Sequence, residues 1–173
     1  MRKLIVVING AGGVGKDTLI GAVKKKYSVR NVYSITPIKR AAEILGWSNE
    51  KDDKSRKFLS DLKLLSTEYN DYPLKRLLSK THDFLRNDIS YIMFVHVREP
   101  QEIKKYVEAV NAKVVTLLIR RKAVEHDYGN MADDNVENYE YDYIYENELP
   151  LDKAEADFMD FFEGIMVWEG VKK

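Results

Sequence analysis

Fifteen residues near the start of the chain restrict it more than any other stretch: Leu4-Ile5-Val6-Val7-Ile8-Asn9-Gly10-Ala11-Gly12-Gly13-Val14-Gly15-Lys16-Asp17-Thr18. The apolar run, rich in β-branched residues, predicts a strand buried on both faces, as in a parallel sheet. A glycine-rich turn follows, then a helical pattern with Leu19, Ile20, Val23 and Tyr27 on one face. Strand, glycine loop and a lysine at the helix start form a phosphate-binding layout. Backbone N–H groups and the helix N-terminus can surround a phosphate chain, and Lys16 can reach its terminal phosphates. Gly10 and Gly15 stand five apart with Lys16 next, as the motif requires. Asp17 occupies the position usually held by Ser or Thr, and the hydroxyl comes one residue later, at Thr18.

A chain of 173 residues predicts a single domain, 1–173, large enough to bury a real core. No apolar run is long enough to cross a bilayer. The absence of cysteine excludes a disulfide framework and thiolate metal sites and suits the cytoplasm. Three scattered histidines argue against a zinc site. The net charge of zero hides an asymmetry: residues 1–122 hold 25 Lys and Arg against 13 Asp and Glu, residues 123–173 hold 3 against 15. A basic section could serve an anionic ligand, but the simpler reading is that the two sections face each other and cancel. A nucleic-acid binder would more often carry a net basic domain.

Further along, Val29 to Ile35 reads as a second strand. Thr36-Pro37 then starts a helix, with Thr36 as N-cap, Ile38, Ala41, Ala42 and Leu45 on one face, and Gly46 as the stop. A third helix, from about Ser55 to Tyr69, places Phe58, Leu62, Leu65 and Tyr69 inward. A fourth, opened by Pro73, carries Leu74, Leu77, Leu78, Thr81 and Leu85. Tyr91 to Val97 is another buried strand, followed by a helix with Ile103, Val107 and Val110. Val114 to Ile119 is a further strand. The segment 121–138 reads as a lid-like loop, and alternation around Tyr141, Tyr143 and Tyr145 predicts a short strand. A last helix from Leu151 puts Leu151, Ala154, Phe158, Phe161 and Ile165 on its core face. Strands alternating with helices predict an α/β fold with a parallel sheet covered on both faces. Cations follow the strands: Lys16, Lys39, Arg98, then Arg120 and Arg121. In an open parallel sheet the C-terminal strand ends lie along one edge, where ligands bind, so these positions converge on the glycine loop. Phosphoryl transfer needs such positioning and charge neutralisation.

Gly10-Ala11-Gly12-Gly13-Val14-Gly15-Lys16-Asp17-Thr18 resembles the P-loop of the nucleoside monophosphate kinase superfamily, and its Gly-Lys-Asp form is similar to phage-type deoxynucleoside monophosphate kinases and to the related animal phosphomevalonate kinase. Thr36-Pro37-Ile38-Lys39 with Gly46-Trp47, Val97-Arg98-Glu99-Pro100, and Tyr141 to Asn147 resemble further segments of the phage-type enzymes. The resemblance implies a P-loop NTPase three-layer sandwich with a five-stranded parallel sheet of order 2-3-1-4-5, and ATP with Mg²⁺ as donor. It implies that Gly10, Gly12, Gly13, Val14, Gly15, Lys16, Asp17 and Thr18 hold the donor phosphates, with Asn147 near the adenine. Thr36, Lys39, Arg56 and Arg98 would hold the acceptor monophosphate, and Lys16, Arg120 and Arg121 would act on the transferring phosphoryl group. His96 stands where the family has a metal-directed carboxylate, and Asp17 or Glu99, through water, is the candidate metal contact, Asp17 in first place. The lid is acidic and poor in arginine. The expected activity is ATP-dependent phosphorylation of a (deoxy)nucleoside monophosphate. The alternatives are a kinase of another phosphorylated metabolite, phosphomevalonate-like or dephospho-coenzyme A-like, and a nucleotide-binding regulator without turnover. A small phosphorylated acceptor is the expected partner and a homodimer is compatible; no nucleic-acid polymer and no membrane are expected.

Overall fold

The computed structural model describes residues 2–122 and 135–172. Five strands, β1 (Leu4–Asn9), β2 (Val29–Tyr33), β3 (Ile92–His96), β4 (Val114–Arg120) and β5 (Tyr143–Glu146), form one parallel sheet in the order β2-β3-β1-β4-β5. Six α-helices among the described residues surround it: α1 (Lys16–Lys26), α2 (Thr36–Ile44), α3 (Asp53–Asn70), α4 (Tyr72–Arg86), α5 (Pro100–Ala109) and α6 (Leu151–Trp168). A 3₁₀ turn covers Val136–Asn138.

Strand β1 is buried along its whole length because it is central and covered on both faces. Alternation assigns Leu4, Val6 and Ile8 to one core, shared with Leu19 and Val23 of α1 and Phe158 and Phe162 of α6. Ile5 and Val7 belong to a second core with Leu77 and Phe84 of α4 and Ile103 and Tyr106 of α5. Each fully buried Phe contributes roughly 1.5–3 kcal/mol by leaving water. Lys3, just before β1, donates to the carbonyls of Phe84 and Asn87, which holds the C-terminal end of α4 at the N-terminal edge of the sheet. Among the described residues, no helix is long and apolar enough to cross a membrane.

Several local expectations need correction. Thr36 is not the N-cap of α2: Ile35 already has helical backbone angles and precedes the helix, so Thr36 and Pro37 occupy its first turn with no side-chain cap bond. Pro37 is tolerated there because N–H groups of a first turn have no intrahelical partner. Helix α3 begins earlier than Ser55, at Asp53, because Asp52 caps it by accepting from Ser55 N at 2.7 Å. Its Leu65 and Tyr69 are exposed, since α3 packs on α2 and α4 rather than on the sheet and Ser55 is its one buried residue. Leu45 and Leu151, at helix ends, are also exposed. In α6 the buried stripe runs through Phe162 and Met166, with Phe161 packed at its border. The lid-like segment lies outside the described residues from 123 to 134.

Candidate functional site

The loop between β1 and α1 is shaped by its glycines. Gly10, Gly13 and Gly15 have positive φ of 143°, 82° and 94°, conformations that side chains with a Cβ rarely adopt. A Cβ on Gly10 would collide with the Ile119 carbonyl oxygen of β4, and one on Gly15 would stand 2.6 Å from Asn147 Nδ2. The loop is therefore pressed against the neighbouring strand ends. Asn9, buried at the end of β1, braces its start: Oδ1 accepts from Gly10 N at 2.9 Å, while Nδ2 donates to Arg98 O at 2.9 Å and to Tyr141 Oη at 2.7 Å. Tyr141 passes the contact on by donating to Val136 O at 2.9 Å. From the other side, Asn147 Nδ2 donates to Val14 O at 2.8 Å and its N–H to Arg120 O at 2.8 Å. Asn147 Oδ1 is buried without a hydrogen-bond partner.

Lys16, the first residue of α1, folds back over this loop and donates to Gly10 O and, at 2.8 Å, to Ala11 O. Its ammonium is thus held across the backbone curve. Asp17 and Thr18 are exposed in the first turn of α1, where the helix N-terminus favours anions. Beside them, His96 at the end of β3 stacks on Tyr33 at the end of β2, with ring centroids 4.0 Å apart and planes 17° from parallel. Burial pushes the His96 imidazole down to about 4, with Asp17 opposing and Lys16 and Lys24 adding to the depression. His96 is therefore neutral at neutral pH. Burial, helped by Asp17, raises the Tyr33 phenol.

The other strand-end cations are distributed unequally. Arg120 is gripped by two carboxylates: Nε donates to Glu137 at 2.9 and 3.1 Å, Nη2 bonds the same carboxylate, and Nη1 reaches Glu146 at 3.4 Å. These hydrogen bonds hold its guanidinium more firmly protonated than usual. Arg121 is half-buried. Arg98 is exposed just past β3, and its carbonyl is the acceptor used by Asn9. Lys39 is exposed and lies 5.8 Å from the Trp47 ring centroid, a cation–π contact. Arg56 is exposed near the start of α3 and reaches Asp53 at 3.4 Å. Thr36 lines a cavity of about 510 Å³ that none of Lys39, Arg56 and Arg98 lines.

Parallel strands in the order 2-3-1-4-5, with a glycine loop and lysine between the central strand and its helix, decide the architecture. The fold is that of the P-loop NTPases. No protein-family model matches the chain, and no curated protein sequence matches it. Among solved structures it is similar to TT1252 from Thermus thermophilus, at 14% identity and a TM-score of 0.53, over 95% of this chain and 98% of that one. It is also similar to an unliganded sugar kinase from Janibacter sp. HTCC2649 (14% identity, TM-score 0.48, 94% and 95% of the two chains) and to shikimate kinase from Aquifex aeolicus (10%, 0.45, 96% and 99%). The TT1252 likeness is one of fold.

The loop fits a nucleotide phosphate chain: glycine backbone at positive φ, an adjoining helix N-terminus and the Lys16 ammonium meet at one curve. For Mg²⁺ the P-loop supplies one carboxylate, Asp17, and no group of three or more His, Asp and Glu among the described residues is arranged to hold a metal ion. Sequence reasoning missed Asn9, although a polar residue ending a buried apolar run, directly before glycine, is the signature of a buried brace. It also missed the Tyr33–His96 stack, which depends on the parallel register of β2 and β3.

Proposed function

We propose that the protein transfers the terminal phosphoryl group of ATP, with Mg²⁺, to a small phosphorylated acceptor, in first place a (deoxy)nucleoside monophosphate. The observation that carries this reading is Lys16 lying across a loop whose curve is set by three positive-φ glycines. In it the amides of Gly10 to Thr18, Gly12, Gly13 and Val14 among them, surround the donor phosphates, and Lys16 exchanges its loop carbonyls for phosphate oxygens. Asn147 braces the loop, and its buried, unpartnered Oδ1 is an acceptor suited to the adenine amino group. Asp17 holds Mg²⁺ through water. Thr36, Lys39, Arg56 and Arg98 serve the acceptor phosphate, and Arg120 with Arg121 serves the transferring group. The acceptor already carries an anionic oxygen, so no general base is required, consistent with a neutral His96. The cytoplasm suits both ligands.

A second reading, a nucleotide-binding regulator without turnover, is favoured by the two carboxylates that occupy Arg120. Measuring ADP formation from ATP and Mg²⁺ across a panel of nucleoside and deoxynucleoside monophosphates separates the two. The kinase reading predicts acceptor-stimulated ADP formation that Lys16→Ala lowers by more than about 100-fold. ATP binding with no stimulation by any acceptor supports the regulator, and a Lys16→Ala rate within a few-fold of wild type overturns the catalytic role of Lys16.

A further inference from the structure

The cavity that contains Thr36 opens along the sheet-edge strand β2, between α2 and α4. Four cations line it: Arg30 on β2, Arg40 on α2, and Arg76 and Lys80 one turn apart on α4. Among the described residues, no carboxylate lines it. Lys80 has Asp83 at 3.7 Å, whereas Arg30, Arg40 and Arg76 form no ion pair among the described residues. Arg30 Nη1 and Asn31 Oδ1, both in the lining, are buried without hydrogen-bond partners. Converging cations without counter-charges repel one another, and a buried unpartnered guanidinium N–H calls for an acceptor. The volume of about 510 Å³ is that of a small-molecule site.

The cavity also has a direction. Tyr33 and Thr36 lie at the C-terminal end of β2, where Tyr33 meets His96 beside the P-loop. Arg30 lies three residues back along the strand, about 10 Å away at strand rise. Helix α4 runs the same way, because Lys3 fixes its C-terminal end at the opposite edge of the sheet. Lys80 therefore lies deeper from the P-loop edge than Tyr72, the first residue of α4, by about 12 Å at helix rise. One end of the cavity adjoins the phosphate loop and the other is cationic.

We infer that the acceptor carries two anionic groups about 10 Å apart, one at Thr36 beside the P-loop and the other on Arg30, Arg76 and Lys80. This rests on the proposed phosphoryl transfer and narrows its acceptor: a plain nucleoside monophosphate leaves the distal cations without a counter-charge. Guanidinium forks suit a phosphate or a carboxylate at the distal end, and Asn31 Oδ1 can accept from a hydroxyl or N–H between the two.

Calorimetric titration with hexane-1,6-diol bisphosphate and with hexyl phosphate tests this directly. The bisphosphate is expected to bind at least about tenfold more tightly, since charge-assisted bonds add at the second end. The preference should vanish in the double variant Arg76→Gln/Lys80→Gln and weaken in Arg30→Gln, a change on the edge strand β2 that spares the core. It should persist in Lys16→Ala. Equal binding of both probes, or a preference that survives both sets of substitutions, overturns the inference. ATP titrated into the same proteins reads the P-loop separately: loss of ATP binding in wild type refutes the phosphoryl-transfer reading and leaves the bisphosphate preference as its own result.

Discussion

Gly10 and Gly15 are restricted to glycine by different neighbours, a backbone carbonyl of β4 for the first and the Asn147 amide for the second. A backbone oxygen cannot swing aside as a side chain can, so Gly10 is the stricter of the two positions. His96 shows the same local logic in its charge. Its folded value of about 4 lies below the ordinary 6.5, chiefly through burial. Above pH 6.5 neither folded nor unfolded chain protonates it, and it leaves stability unchanged. Between 6.5 and about 4 the unfolded chain takes up a proton that the folded chain refuses, so unfolding free energy falls with pH, by roughly 3 kcal/mol at most. Denaturant unfolding at pH 7 and pH 4.5 should show a smaller loss in His96→Phe, which retains a ring against Tyr33, than in wild type. Equal losses would contradict the burial of a neutral imidazole. The glycine spacing and Lys16 were legible in the sequence because the motif is local. The Asn147 brace was not, since it joins residues 133 positions apart.

Among the elements, α4 carries more of the core than its sequence pattern implies. Periodicity picked out Leu77 and Thr81, yet Phe84 is fully buried as well, and Thr81 shares a hydrogen bond at 2.5 Å with the buried Tyr106 hydroxyl. Helix α3 shows the reverse, an apolar pattern whose main contacts are α2 and α4. Phe84→Ala should lower the unfolding free energy by about 3–5 kcal/mol, whereas Leu65→Ala should change it by less than about 0.5 kcal/mol. Comparable losses at both positions in denaturant melts would show that α3 is covered after all. Periodicity marks which residues share a face, and only tertiary packing decides what that face meets; β2 illustrates this too, as an edge strand whose exposed side forms one wall of the cationic cavity.

For the molecule as a whole, the opposed charges of its two sections do face each other: Lys25 pairs with Glu155, Lys26 with Glu163, Lys113 with Glu169, and Arg120 with Glu137 and Glu146. These pairs are partly exposed and individually weak. Arg30, Arg40 and Arg76, which form no ion pair among the described residues, line the cavity between β2, α2 and α4. Strand order was legible from the P-loop resemblance and the alternation of strands with helices, but the cavity required the spatial approach of β2, α2 and α4. Residues 10–18 are the proposed cradle of a nucleoside triphosphate. Titrating ¹⁵N-labelled protein with Mg²⁺-ATP up to about 1 mM, and following amide resonances, tests it most directly. The predicted result is saturable shifts concentrated at Gly10 to Thr18 and Asn147, abolished by Lys16→Ala. Unmoved loop amides, or shifts confined to another part of the sheet, would contradict it.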